Sequence, residues 1–207
     1  MVGPMEPRIV IIDYGMGNLR SVQKAIEKVG YTAEITQNRQ SIRNATHVVV
    51  PGQGAFCDAK RCLEENKLTG EVISAIQSGK PFLGICLGLQ MLFTVSYEGG
   101  VFDGMNVIPG EVVRFSGSMK IPHIGWNQLI IKKNIPIFDN IQNESYVYYD
   151  HSFYVKPSNP EWIAAITDYE GEFTTVVAKD NVVATQFHPE KSQKIGLQFL
   201  KNFGMMK

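Results

Sequence analysis

Short apolar runs alternate along the first half of the chain with stretches whose apolar residues recur every three or four positions. Arg8-Ile9-Val10-Ile11-Ile12-Asp13 is mostly β-branched and has no polar alternation, the pattern of a strand covered on both faces. Tyr14-Gly15-Met16-Gly17-Asn18 then predicts a turn. Leu19, Val22, Ala25, Ile26 and Val29 repeat at helical spacing, and Gly30 supplies the stop. Further strands are predicted at Thr32–Thr36, His47–Val50 and Phe82–Ile85, with helices over Asp58–Asn66, Glu71–Ser78 (closed by Gly79) and Leu87 to about Thr94. Alternating strands and helices with short connections predict a mostly parallel, doubly wound α/β sheet flanked by helices, with right-handed crossovers. Ligands of such sheets bind beyond the carboxyl ends of the strands, where Asp13, Pro51 and Cys86 fall.

The second half changes character. Tyr97–Gly110 is rich in glycine and polar residues and has no clear period. Short β-prone segments follow at Glu111–Phe115, Trp126–Ile131, Tyr146–Tyr149, Phe153–Val155, Ile163–Thr167, Thr174–Lys179 and Val182–Gln186. Turn residues between them predict antiparallel strands and hairpins added to the parallel core. Ile195, Phe199, Leu200 and Phe203 mark a final helix with Ser192 placed as its N-cap. With no internal repeat, low-complexity tract or long linker, residues 8–207 are expected to form one domain.

Composition narrows the function classes. A chain of 207 residues, 44% hydrophobic, can bury a sizeable core. Lys+Arg and Asp+Glu both number 20, so no basic field draws nucleic acid or anionic membrane to the surface. Three cysteines, Cys57, Cys62 and Cys86, with no Cys-x-x-Cys pair, argue for a reducing, cytoplasmic setting and against a disulfide framework. No apolar run approaches the ~18 residues of a membrane span. Met1-Val2-Gly3-Pro4-Met5-Glu6-Pro7 lacks the apolar region of a signal peptide and is expected to be a disordered lead, with Met5 a candidate natural start.

The chemistry centres on Pro81-Phe82-Leu83-Gly84-Ile85-Cys86-Leu87-Gly88-Leu89-Gln90. An apolar strand breaking into Gly-Ile-Cys-Leu-Gly ahead of a helix is the layout of a nucleophile elbow. The flanking glycines relieve crowding at such a turn, and the helix start aims N–H groups at Cys86, which favours a thiolate. A buried strand cysteine between turn glycines reads equally well on this segment alone. Of the four histidines, His47 heads a buried strand and reads as structural; His123 and His151 stand in the second half. His188 lies in Gln186-Phe187-His188-Pro189-Glu190, at a strand end that shares the edge of Cys86 if that strand runs parallel. Pro189 turns the chain there, so Glu190 can reach the far ring nitrogen. A polar turn leading into the last helix is the bland reading of that stretch, but beside an elbow cysteine a Cys86–His188–Glu190 triad is the better one. The backbone N–H of Leu87 and the glycine-rich Pro51-Gly52-Gln53-Gly54-Ala55 would serve a tetrahedral oxyanion. That loop lacks the Gly-Lys-Ser/Thr of a phosphate cradle, and Gly15-Met16-Gly17 lacks the third glycine of a dinucleotide fingerprint. No metal motif is present, and neither metal nor cofactor is expected.

Gly84-Ile85-Cys86-Leu87-Gly88-Leu89-Gln90 together with Phe187-His188-Pro189-Glu190-Lys191-Ser192 resembles a class I, triad glutamine amidotransferase. Asp13-Tyr14-Gly15-Met16-Gly17-Asn18, Ile121-Pro122-His123-Ile124-Gly125-Trp126-Asn127 and His151-Ser152-Phe153-Tyr154 are similar to the glutaminase subunits of imidazole glycerol phosphate synthases. The similarity runs from about Ile9 to Phe203. It implies that Cys86 attacks the glutamine side-chain amide, that His188 protonates the departing ammonia and later activates water, and that Glu190 orients His188. It implies glutamine-binding roles for Gln90 and Glu98, with Gly52 and the backbone around Ser152 completing the pocket. It also implies a heterodimer with a (β/α)8-barrel cyclase subunit that receives the ammonia for histidine biosynthesis. Asn18, Ile124, Trp126, Tyr148 and Lys191 match positions near that interface. Without the resemblance, Trp126 reads as core and Lys191 as a solvated surface charge.

Two residues depart from the family pattern. Gln53 stands where valine is usual in the oxyanion loop, and Asp150 replaces an apolar residue before His151. Both fit a paralogue that feeds ammonia to a sugar-modifying synthase in surface-polysaccharide biosynthesis, the closest rival reading. A stand-alone cysteine hydrolase of γ-glutamyl amides is a third, and a non-catalytic scaffold a fourth.

Overall fold

The structure is a computed structural model in which residues 7–207 are described, so the expected lead lies outside the described residues apart from Pro7. Five strands form the parallel part of the sheet in the order β2 (Thr32–Thr36), β1 (Arg8–Ile12), β3 (His47–Gly52), β4 (Phe82–Cys86) and β13 (Val182–Thr185). Helices α1 (Leu19–Lys28), α2 (Arg39–Asn44), α3 (Phe56–Glu65) and α4 (Thr69–Gln77) fill the crossovers, and α6 (Gln193–Gly204) follows β13. The apolar alternation along β1 sorts these into two layers, since successive strand side chains point to opposite faces. Ile9 and Ile11 pack with Val22 and Ile26 of α1 and Phe199 and Phe203 of α6. Val10 and Ile12 pack on the other face with Ile42, Phe56, Leu63 and Val72.

Beyond β13 the sheet continues antiparallel, as the hairpin pattern predicts. β12 (Glu172–Lys179) pairs with β13, then come β10 (Phe153–Pro157) and β7 (Ile108–Arg114). β11 (Ile163–Asp168) also pairs with β12, and through it joins β8 (His123–Ile131), whose other neighbour is β9 (Ser145–His151). The β8–β9 ribbon sets His123 opposite His151 and Trp126 opposite Tyr148. Its alternation is clear: His123 is buried, while Ile124 and Trp126 are 58% and 45% exposed. No helix among the described residues is long and apolar enough to cross a membrane.

Three local expectations are corrected. The helix predicted from Leu87 to Thr94 stops after one turn, at α5 (Leu87–Gln90), and Phe93–Ser96 is strand β5 instead. β5 pairs in parallel with β7 and antiparallel with β6 (Phe102–Asp103), inside the stretch read as aperiodic. Phe93 and Val95 suit a strand, and Gly104 lies so close that a Cβ on it would sit 2.1 Å from the Phe93 carbonyl oxygen. Helix α2 went unpredicted because Ile42 is its one buried residue, leaving no apolar repeat; the Asn38 side chain caps it by accepting from the Ser41 N–H at 3.0 Å. Ser192 occupies the N-cap position of α6 but makes no capping bond with its side chain.

Candidate active site

Cys86 ends β4 with φ 53° and ψ −106°, a conformation that costs a non-glycine residue on the order of 1–3 kcal/mol. The elbow is therefore real, and both glycines are required. A Cβ on Gly88 would lie 1.9 Å from the Val50 carbonyl oxygen, and one on Gly84 would lie 2.8 Å from that of Gly88. Strands β3 and β13 flank β4 and hold the strain in place.

Because β13 runs parallel to β4, with Thr185 opposite Ile85, His188 emerges on the same edge as Cys86. Pro189 opens a 3-10 turn over Pro189–Lys191 that swings Glu190 back beneath the ring. Nδ1–H of His188 donates to Glu190 Oε1 at 2.8 Å, both side chains being buried. The His188 N–H donates to the Tyr148 carbonyl at 2.9 Å, and its own carbonyl accepts from the Ser192 hydroxyl at 2.7 Å. The same hydroxyl accepts from the Tyr148 N–H at 2.9 Å, so Ser192 straps the histidine to β9. Nε2 of His188 is buried without a hydrogen-bond partner among the described residues, which leaves it for the reaction. Burial opposes protonation of this ring, but attraction to Cys86 and to the Glu190 carboxylate outweighs it and His188 is pushed up to about 10. The site is thus built to hold a protonated His188 beside the Cys86 sulfur.

The oxyanion side is equally crowded. Gly52 pairs with Cys86 across β3 and β4, and a Cβ on it would meet the Leu87 side chain at 2.6 Å and the Gly88 nitrogen at 2.9 Å. The fully buried Tyr14 donates its hydroxyl to the Pro51 carbonyl at 2.8 Å and so anchors the strand that leads into the loop. Burial, and then the proximity of Cys86, hold that phenol well above its ordinary range. Gln53 itself is exposed. Leu87 is buried at the first position of α5. Gln90 Nε2 donates to the Phe153 carbonyl at 3.1 Å and to Gln186 Oε1 at 3.2 Å. Glu98 is half-buried and accepts from the Phe56 N–H at 2.9 Å, at the start of α3; burial raises its carboxyl above the usual range, in spite of that bond. The Ser152 carbonyl accepts from the Phe115 N–H at 3.1 Å.

Four of the five residues matched to an interface meet on and beside the ribbon. Trp126 stands edge-on to Tyr148, with ring centres 5.9 Å apart, and Lys191 Nζ lies 5.5 Å from the Tyr148 ring centre. Trp126 is therefore surface and not core, and Lys191 is not simply solvated. Lys191 also faces the Asp150 carboxylate at 3.8 Å, so the unusual acid is charge-paired within the chain. Asn18 is exposed and caps α1, accepting from the Ser21 N–H at 3.4 Å.

Sequence reasoning passed over three groups here. Gln186, fully buried, donates from Nε2 to Cys86 Sγ at 3.5 Å. His123 Nδ1 lies 3.1 Å from His151 Nε2, and His151 Nδ1–H donates to the Phe153 carbonyl at 2.8 Å. Burial pushes His123 down to about 4 and His151 down to about 3, so both rings are neutral. Tyr14 is the third. Their sequence signal was weak, since each is defined by a partner 37 or more positions away or on a neighbouring strand. His47 is buried against Phe203 with ring centres 5.2 Å apart, in keeping with a structural role. No group of three or more His, Cys, Asp or Glu among the described residues could hold a metal ion.

Residues 10–206 match the family described as glutamine amidotransferase class-I. The chain is 51% identical over 206 residues to the imidazole glycerol phosphate synthase subunit HisH of Geobacter metallireducens, covering 96% of this chain and 98% of that protein. It is 52% identical over 205 residues to HisH of Syntrophotalea carbinolica (96% and 100% covered) and 49% identical over 197 to HisH of Aquifex aeolicus (95% of each). Among solved structures, PurLQS from Thermotoga maritima aligns with a TM-score of 0.74 at 19% identity, covering 96% of each chain. A structure described as a glutamine amidotransferase aligns with a TM-score of 0.73 at 17% identity, covering 95% of this chain and 99% of that one. At such identities the structural likeness is one of fold. With sequence, fold and the Cys86 elbow in agreement, the chain belongs to the class-I glutamine amidotransferase family.

Proposed function

We propose that this chain is the glutaminase subunit of an imidazole glycerol phosphate synthase in histidine biosynthesis, working in a reducing compartment such as the cytoplasm. It hydrolyses glutamine and passes the ammonia to a (β/α)8-barrel cyclase subunit. The observation that carries the reading is the parallel pairing of β4 and β13, which brings Cys86 and the Glu190-bound His188 to one sheet edge in a chain about half identical to HisH subunits.

The sulfur of Cys86 adds to the side-chain amide carbon of glutamine. The oxygen that gains the electron pair is met by the N–H of Leu87 and by the peptide after Gly52, once that loop turns its N–H inward. His188 Nε2–H protonates the amide nitrogen as its bond to carbon breaks, so ammonia leaves and a glutamyl thioester remains. The now neutral ring takes a proton from water, the hydroxyl adds to the thioester, and the sulfur departs as an anion with glutamate. Glu190 keeps Nε2 aimed at the sulfur throughout by holding Nδ1–H. Gln90 and Glu98 bind the substrate, and the face formed by the exposed Ile124 and Trp126 with the half-buried Tyr148 and Lys191 meets the cyclase. Residues 8–207 act as one domain.

Co-purification with a barrel cyclase, followed by glutaminase assay with and without the cyclase ligand, tests the reading. Stimulation by the histidine-pathway cyclase is expected. Stimulation only by a sugar-modifying synthase would move the acceptor, and full turnover with no partner would indicate a free-standing hydrolase. Cys86→Ala is expected to abolish turnover while leaving partner binding intact; retained turnover would sink the mechanism.

A further inference from the structure

The polarity of the hydrogen bonds around Cys86 can be traced to a fixed origin. The Phe153 carbonyl can only accept, and it takes His151 Nδ1–H at 2.8 Å and Gln90 Nε2–H at 3.1 Å. That forces the NH2 end of Gln90 toward Phe153. A carboxamide has two N–H donors, and the second of Gln90 goes to Gln186 Oε1 at 3.2 Å. Gln186 then has its NH2 end pointed the other way, at Cys86 Sγ, 3.5 Å distant. Turning Gln186 over would set donor against donor, and turning Gln90 over would set acceptor against acceptor, in a place with no exposed surface at Gln186 and 4% at Gln90.

We propose that Gln186 is a positioning residue for the glutaminase reaction: its one buried amide holds a donor on the Cys86 sulfur and, at its other end, fixes Gln90 to show the substrate an acceptor. The inference rests on the glutaminase reading above and deepens it. A donor on sulfur supports the charged nucleophile and points it, because a hydrogen bond to an ion is about twice as strong as one between neutral groups. Gln90, with both N–H groups occupied inside the protein, offers only Oε1, so it favours a ligand that presents N–H groups. Glutamine's amide and ammonium do so; a carboxylate in the same place does not.

The test uses Gln186→Met, which keeps the length and removes both bonds, in the chain assembled with its barrel partner. Alkylation of Cys86 by iodoacetamide needs no glutamine and reads the sulfur alone. Its pH profile is expected to move up by about one unit, roughly tenfold less reaction at any given pH on its rising limb. Separately, kcat/KM for glutamine is expected to fall about 10- to 100-fold, with KM rising as well as kcat falling. An alkylation profile that stays in place overturns the proposal and leaves Gln186 as packing. If Gln186→Met does not fold, Gln90→Leu serves instead, because it frees Gln186 to turn over; the same upward movement is expected and an unmoved profile is equally fatal. Glutaminase activity retained by Cys86→Ala would instead refute the glutaminase reading, while the alkylation profile of the other variants still judges the donor on sulfur.

Discussion

Replacing Glu190 with glutamine separates what its charge does from what its shape does. The amide oxygen can still accept from His188 Nδ1–H across the 2.8 Å contact, and the buried volume is almost unchanged. What disappears is a negative charge beside a ring that burial alone would keep neutral. A hydrogen bond to a charged group contributes about 1.5–3 kcal/mol against about 1 kcal/mol for a neutral one. The difference of about 0.5–2 kcal/mol predicts that His188 titrates about one unit lower and that glutaminase kcat falls about 2- to 30-fold. Glu190→Ala goes further. It strands Nδ1–H in a buried site, which costs about 1–3 kcal/mol of stability and lets the ring turn away from Cys86, so a loss well beyond that of the glutamine variant is expected. Carbon-detected NMR of the His188 ring gives the titration, partner-stimulated glutaminase assays give kcat, and urea unfolding gives stability. If the glutamine variant matches the alanine variant in kcat, charge and not orientation is the whole contribution. If both match the parent chain, Glu190 has no role in the reaction.

Gly88→Ala would place a methyl 1.9 Å from the Val50 carbonyl, and since both are backbone-tethered the loss of stability should be at least about 3 kcal/mol, read as a lowered urea midpoint. Acid should also destabilise the fold. His123 and His151 are held down to about 4 and about 3, below the ordinary 6.5, so the unfolded chain binds their protons first and stability is lost as pH falls from 6.5 toward those values. Between pH 6.5 and 5 the loss is on the order of 2 kcal/mol per ring. His188, raised above 6.5, contributes fully throughout that window and does not offset it. A urea midpoint that is flat across the window would contradict the neutral pair. Trp126→Ala should leave the unfolding free energy from urea titration within about 0.5 kcal/mol, because the ring is 45% exposed, yet weaken assembly with the cyclase by more than about 1 kcal/mol in a binding titration.

The alternating core was readable because β1, β3 and β4 are buried on both faces and so carry unbroken apolar runs. The edge shared by Cys86 and His188 followed from the same logic, conditional on β13 being parallel, which it is. Reading failed where local pattern and tertiary demand part company. From Leu87 onward the residues suit a helix, yet pairing with β6 and β7 draws Phe93–Ser96 into a strand after a single turn. Gln186 and Tyr14 carry no spacing rule, since the first is defined by a sulfur 100 positions earlier and the second by a carbonyl 37 positions later. Trp126 shows the reverse failure: an aromatic in a β-prone run reads as core, and only the strand's alternation tells that it faces out.

That alternation in β8 has a consequence for how such a chain can change over time. Odd positions, His123 and Asn127, are tied to one another and to the Asp168 carbonyl. Even positions, Ile124 and Trp126, face outward and stand 58% and 45% exposed, with Trp126 edge-on to the Tyr148 ring. One strand therefore carries two separately mutable texts at single-residue spacing. Substitutions at even positions can change the exposed face of the ribbon while leaving the network of His123, His151 and Asn127 untouched. Insertion or deletion of a single residue in β8 would exchange the two faces at once, turning Ile124 and Trp126 inward and expelling His123. Drift along this ribbon is expected by substitution at alternate positions, with its length held fixed.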